Sequence, residues 1–177
     1  LQQIIDMLNS RNLFILALIV LAAVLRVSGN LPYNFSPVAA IALFGGAMLS
    51  NRALGFIVPL AIMLVSDWFI GFHGLMWAVY GGFIAIVLIG QVIRKKPTML
   101  SAIGGALAGS VLFFLITNGA VWLGSPYYAQ DLSGLINSYV AGVPFFRGTL
   151  MGDLLFTAIF FGSYKLAEYR FPSLVKA

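Results

Sequence analysis

Three of the five carboxylates in this chain, Asp67, Asp131 and Asp153, fall at the same end of its apolar runs as Arg26, Arg147 and His73. An ionisable group within apolar sequence is costly unless it is paired or hydrated, and such groups carry function by default. Asp153 is expected near the start of the last apolar run, where the positive end of a helix dipole favours a carboxylate. Asp67 is expected near the end of the third run, where the dipole opposes it. Asp67 therefore needs a cation, and Arg26 and Arg147 are the ones available. Asn34, Trp68, Asn118, Trp122, Tyr127, Tyr128 and Asn137 are assigned to the same end. Aromatic faces with amides and a few charges are how a pocket holds a heterocyclic or polar small molecule. The binding set expected on this ground is Arg26, Asn34, Asp67, Trp68, His73, Asn118, Trp122, Tyr127, Tyr128, Arg147 and Asp153.

Each of these residues also has a plainer use. The charged ones can be ion pairs that lock helices just below the membrane surface, and the Trp and Tyr residues can form an interfacial belt. Their concentration on one side argues for a pocket more than any one member does. His73 alone is a weak signal. It lies six positions after Asp67, so a helix would put the two on different faces. With no Cys and one His, disulfides and thiol nucleophiles are excluded and a protein-only transition-metal site is not expected. No phosphate-binding loop, metalloprotease helix or nucleophile elbow is present, so neither an enzyme nor a cofactor is expected.

The elements that must position these groups are membrane spans. Of 177 residues, 61% are hydrophobic and only 8% charged, more apolar surface than a soluble domain of this size needs. A transmembrane helix takes roughly 20 apolar residues, so about six fill the chain and leave no room for a separate soluble domain. The expected fold is an all-α integral membrane bundle forming one domain over residues 1–177. Its spans are expected at about 12–27, 36–50, 53–72, 75–93, 99–123 and 145–164, with a short interfacial helix at about 132–143. Ser28-Gly29-Asn30-Leu31-Pro32 ends the first span, and Ser36-Pro37 starts the second, with Ser36 as N-cap. Pro59 is a kink candidate in the third, and Arg94-Lys95-Lys96-Pro97 closes the fourth. Leu132 to Val143 is apolar but too short to cross, hence the interfacial assignment.

With the N-terminus inside, Arg11, Arg52, Arg94, Lys95, Lys96, Lys165, Arg170 and Lys176 fall in the cytoplasm and only Arg26 and Arg147 outside. This positive-inside bias predicts an even number of spans with both termini cytoplasmic, in a bacterial inner membrane. It also reassigns the net charge of +5: the basic residues are topology signals, and no nucleic-acid partner is expected. Arg11 before an apolar run resembles a secretory signal, but its basic region is thin and further spans follow, so an uncleaved first helix is expected. Leu1 in place of Met suggests that some of the natural N-terminus precedes this numbering. Small residues at four-residue spacing, Ala42 with Gly46, Ala102 with Ala106 and Gly105 with Gly109, allow close helix contact. Packing within the monomer accounts for them, and docking to a membrane partner subunit is the sharper alternative.

Two runs carry a resemblance. They are Pro32-Tyr33-Asn34-Phe35-Ser36-Pro37-Val38-Ala39-Ala40-Ile41-Ala42-Leu43-Phe44-Gly45-Gly46-Ala47 and Pro144-Phe145-Phe146-Arg147-Gly148-Thr149-Leu150-Met151-Gly152-Asp153-Leu154. With Ser66-Asp67 and Gly71-Phe72-His73 they resemble a family of small bacterial membrane proteins of unknown function. In length, span number and outward polar mouth the chain is also similar to the substrate-binding S components of energy-coupling factor vitamin transporters. That likeness implies a substrate held near the outer surface between helix-connecting loops. It also implies an Ala-x-x-x-Ala docking motif on the first helix, whereas Ala17, Ala22 and Ala23 do not give that spacing. The reactive Cys of the solitary cobalamin-binding type has no counterpart here. The leading expectation is a substrate-capture subunit for a small vitamin-like molecule, and the rival is a structural subunit of a larger membrane complex. An ion pathway ranks last, because the sequence between the outer cluster and the basic loops is nearly all apolar.

Overall fold

The structure is a computed structural model and describes residues 9–172. Lys176 and the start of the chain, on which two of the expectations above bear, lie outside that range. Among the described residues the secondary structure is six helices: α1 Ser10–Val27, α2 Val38–Met48, α3 Arg52–Ile70, α4 Met76–Ile93, α5 Met99–Gly124 and α6 Leu132–Arg170. Side chains start four of them. Asn9 accepts from the Asn12 amide, Asn51 from Ala53, Thr98 forms a reciprocal capping box with Ser101, and Asp131 accepts from Gly134. All but α2 are long and apolar enough to cross a membrane. They keep large apolar side chains such as Leu21, Leu64, Leu88 and Leu115 exposed, as lipid-facing helices do. This is a multi-pass membrane protein.

Two expectations about the elements change. The second span is an 11-residue helix, roughly 16 Å long at 1.5 Å per residue and too short to cross alone. Ten of its residues are buried, because a helix apolar on every side has no face for water. It is the central pillar: Phe44 sits 5.2 Å from the Phe161 ring and 5.5 Å from Phe160. Its start is one residue later than expected, with Pro37 at the cap and no side-chain cap bond, so Ser36 does not serve as N-cap. The second change is that the segment at 132–143 is no separate interfacial helix, but the first third of the 39-residue α6, with Pro144 inside it. Contacts to α5 on both sides of Pro144 hold it there. Tyr139 donates to the Leu115 carbonyl at 3.0 Å, and the Phe114 ring meets Tyr139 at 5.7 Å and Phe146 at 5.0 Å.

The helices alternate in direction. Asn12 at the start of α1 donates to Ser50 just past the end of α2, and the Ser50 amide returns a bond to Asn12. Arg26 near the end of α1 meets Asp67 near the end of α3. At the basic end, Arg11 donates to the Met48 carbonyl and Arg94 to those of Leu49 and Ser50, which occupies the free carbonyls at the C-terminus of α2. Burial, and then the charges of Arg11 and Arg52, push Arg94 below the usual arginine range.

The small-residue pairs pack inside the chain. A Cβ on Gly46 would stand 2.5 Å from the Val87 carbonyl oxygen, Gly105 faces Leu43, and Gly109 faces Ile86. Ala42, Ala102 and Ala106 are buried in the same core. These faces are occupied by the chain's own helices.

Candidate functional site

The loop from Ser28 to Pro37 turns back over the bundle and lies on α6. Gly148 and Gly152 make this possible: a Cβ would stand 2.8 Å from the Tyr33 carbonyl oxygen at the first and 2.9 Å from the Ser36 nitrogen at the second. Tyr33 packs against Phe145 at 5.8 Å and Phe35 against Phe156 at 5.7 Å. At the apex Asn34 adopts a left-handed conformation, φ 56°, a region that Asn tolerates better than most residues. The two runs that carry the family resemblance are thus one contact surface.

Below this loop lie two adjoining cavities. The deeper, about 220 Å³, is lined by Arg26, Asn34, Ser36, Phe83, Phe113, Thr149 and Asp153 among others. The second, about 250 Å³, runs between α5 and α6 past Tyr33, Phe114, Asn118 and Phe145. Asn34, Phe113 and Thr149 line both. A larger groove of about 560 Å³ between α1 and α3 has walls such as Val20, Val24, Ile62 and Phe69, and lacks converging polar groups.

The two acids that the sequence singled out meet different fates. Asp67, 6% exposed, is held from two sides. Arg26 Nη2 donates to Oδ1 at 2.6 Å and Tyr80 Oη to Oδ2 at 2.9 Å, while Arg26 Nη1 reaches Ser66 Oγ. Ser66 in turn donates to the Met63 carbonyl at 2.8 Å. This closed network ties α1, α3 and α4 together, and it supplies the cation that the dipole argument required.

Asp153 is 2% exposed and lines the deeper cavity. Its hydrogen-bond partner among the described residues is Ser110, whose Oγ lies 2.6 Å from Oδ2. Ser110 Oγ also lies 2.9 Å from the Ala106 carbonyl, and with one hydroxyl proton it serves one of the two acceptors at a time. No cation forms an ion pair with Asp153 among the described residues, where the ion pairs are Arg26–Asp67 and Lys165–Glu168. Because α6 begins at Leu132, Asp153 lies mid-helix and gains nothing from the N-terminal dipole, contrary to the sequence expectation.

Of the other expected site residues, Asn118 lines the second cavity and spends its amide on the Phe114 carbonyl. Trp68 is 76% exposed and Tyr127 91% exposed, positions that suit an interfacial belt. His73 and Arg147 are exposed as well, so Arg147 pairs with neither acid. Trp122 donates to the Ala129 carbonyl and braces the connection before α6, in which Tyr128 lies. Sequence reading missed Ser36, Tyr80, Phe113, Ser110 and Thr149. Ser110 carried a faint signal, as a hydroxyl beside Gly109 in mid-span. Among the described residues no group of three His, Cys, Asp or Glu side chains could hold a metal ion.

No curated protein and no solved structure matches the chain. Residues 6–174 match the model of a family of unknown function, DUF6580, and over that length the chain belongs to this family.

Proposed function

We propose that this protein captures a small organic molecule at the polar end of its helix bundle, as the substrate-binding component of an uptake system for a vitamin-like compound. The observation that carries this reading is the pair of adjoining cavities that share Asn34, Phe113 and Thr149 and end on the buried carboxylate of Asp153. Apolar and aromatic walls with a few converging polar groups are the usual makeup of a small-molecule site. The charge bias between the two ends supports an outward-facing mouth, as in the S components that the chain is similar to in architecture. Transport then requires a partner or a movement of the bundle, since the sequence has no ATP-binding motif.

The test is native mass spectrometry of protein purified in mild detergent, together with thermal-shift measurements against a panel of vitamins and precursors. A co-purified or stabilising molecule is expected, and Thr149→Leu, which narrows the part common to both cavities, should abolish its effect while leaving the protein folded. Absence of any bound molecule and of any shift across the panel would sink the proposal.

The rival reading, a structural subunit, is favoured by the Arg26–Asp67–Tyr80 network, which locks three helices. On that reading Thr149→Leu is silent and assembly with other membrane proteins fails when Asp67 is replaced.

A further inference from the structure

Resting on the reading of the cavity as a small-molecule site, we infer that its ligand is an organic cation, with the positive charge beside Asp153 and the body against Phe83 and Phe113. Three observations converge on this. First, the charges around the deeper cavity do not balance within the protein. Arg26 also lines it, but both of its terminal nitrogens are committed, one to Asp67 and one to Ser66. That leaves the Asp153 carboxylate without a matching positive charge among the described residues. An ionised carboxylate has about four acceptor positions, and here Ser110 offers at most one hydrogen. The charged form of a carboxyl left in that state is strongly unfavourable unless a cation pairs with it, and without one the group takes up a proton instead.

Second, part of the same cavity's wall is aromatic. The Phe83 and Phe113 rings lie 4.8 Å apart and tilted at 40°, and both line the space that Asp153 lines. Ring faces attract cations, and more so away from water. Third, Ser36 Oγ is buried without a hydrogen-bond partner among the described residues and borders the same cavity, so it can receive a ligand N–H or hydroxyl. An anionic ligand would have to share Arg26 with Asp67 and also sit beside Asp153, whose carboxylate would repel it. An inorganic cation would find one carboxylate and the neutral oxygens of Asn34, Ser36 and Thr149, with no second acid in the lining and the Arg26 guanidinium on the same wall. An ammonium on an aryl or alkyl body uses all three features.

The inference is tested by binding of charge-varied isosteres to the full chain in nanodiscs. Suitable sets are benzylammonium against benzyl alcohol and benzoate, and choline against 3,3-dimethylbutan-1-ol. The cations should bind about 10- to 100-fold more tightly than their neutral isosteres, the range expected for a charged hydrogen-bond pair. Asp153→Asn, which keeps the shape and can still bond Ser110, should erase that ratio without changing the affinity for the alcohols. Phe113→Leu should weaken the cations by roughly 2- to 30-fold, consistent with loss of a ring–cation contact, and the alcohols less. Should Asp153→Asn fail to yield folded protein, the wild-type ratio and Phe113→Leu still decide.

Equal binding of cation and neutral isostere, preference for benzoate, or a cation ratio unchanged by Asp153→Asn would each overturn the inference and leave a small-molecule site of another class. If neither these probes nor the vitamin panel binds, the capture reading itself falls. The two failures are therefore distinguishable.

Discussion

Asp67 and Asp153 are both acids buried within helices, yet replacing their surroundings should have opposite effects. Arg26→Leu strips Asp67 of its only ion-pair partner among the described residues and leaves a buried charge facing Tyr80 alone. Loss of one member of such a pair costs about 3–5 kcal/mol, and the double change with Asp67→Asn should recover most of it. Asp153→Asn removes a carboxylate that no cation among the described residues matches, so it should cost less than about 1 kcal/mol or stabilise the protein. Reversible unfolding in mixed micelles measures all of these. Asp153→Asn costing as much as Arg26→Leu would mean that Asp153 has a structural partner. At this scale the sequence was half legible. Asp67's need for a cation follows from its place near a helix C-terminus, and Arg26 was one of two candidates. The isolation of Asp153 was not legible, because its distance from any helix start depends on where α6 begins.

That beginning is a matter of elements, and hydropathy handles elements well only when each apolar run is bounded by polar residues. It located α1, α3, α4 and α5 to within two or three residues, since charged or Gly- and Pro-containing segments flank them. It divided α6 at Pro144, because proline normally ends a helix and 12 apolar residues cannot cross. What carries the helix through is tertiary: the bonds from Tyr139 and Ser138 to carbonyls of α5 and the ring contacts of Phe114. Such contacts between residues far apart in sequence leave no local trace.

The close packing of α2 with α4 gives an element-scale prediction. A Cβ on Gly90 would collide with the Leu43 carbonyl and stand 3.1 Å from the Ala47 nitrogen, both backbone atoms that cannot swing aside. Gly90→Ala should destabilise by about 1–3 kcal/mol. Gly104, on α5, faces open space, so Gly104→Ala should gain up to about 1 kcal/mol from helix propensity. Thermal unfolding of the two variants side by side checks the contrast. If both behave alike, the α2–α4 contact is looser than described.

For the whole molecule, the alternation of helix direction divides the charged residues between two ends. Arg11, Arg52, Arg94, Lys95 and Lys96 gather at one, and Arg26, Asp67 and the cavities lie toward the other, where Tyr127 and Trp68 also stand. Bilayer insertion keeps basic loops on the cytoplasmic side, so the cavities should open outward. The chain has no Cys, which makes each introduced Cys a unique label. Tyr127→Cys, at a site 91% exposed, should react with a membrane-impermeant maleimide on intact cells. Lys96→Cys, exposed in the connection between α4 and α5, should react only after permeabilisation. The reverse pattern would turn the cavities toward the cytoplasm and make capture from outside impossible in this conformation. Labelling at both sites in intact cells would mean mixed orientation, and the charge bias would then no longer argue for uptake. With the expected pattern, a ligand that reaches Asp153 from outside should also slow the labelling of a Cys placed at Thr149 but not at Tyr127, which ties the orientation of the molecule to its cavity in one measurement.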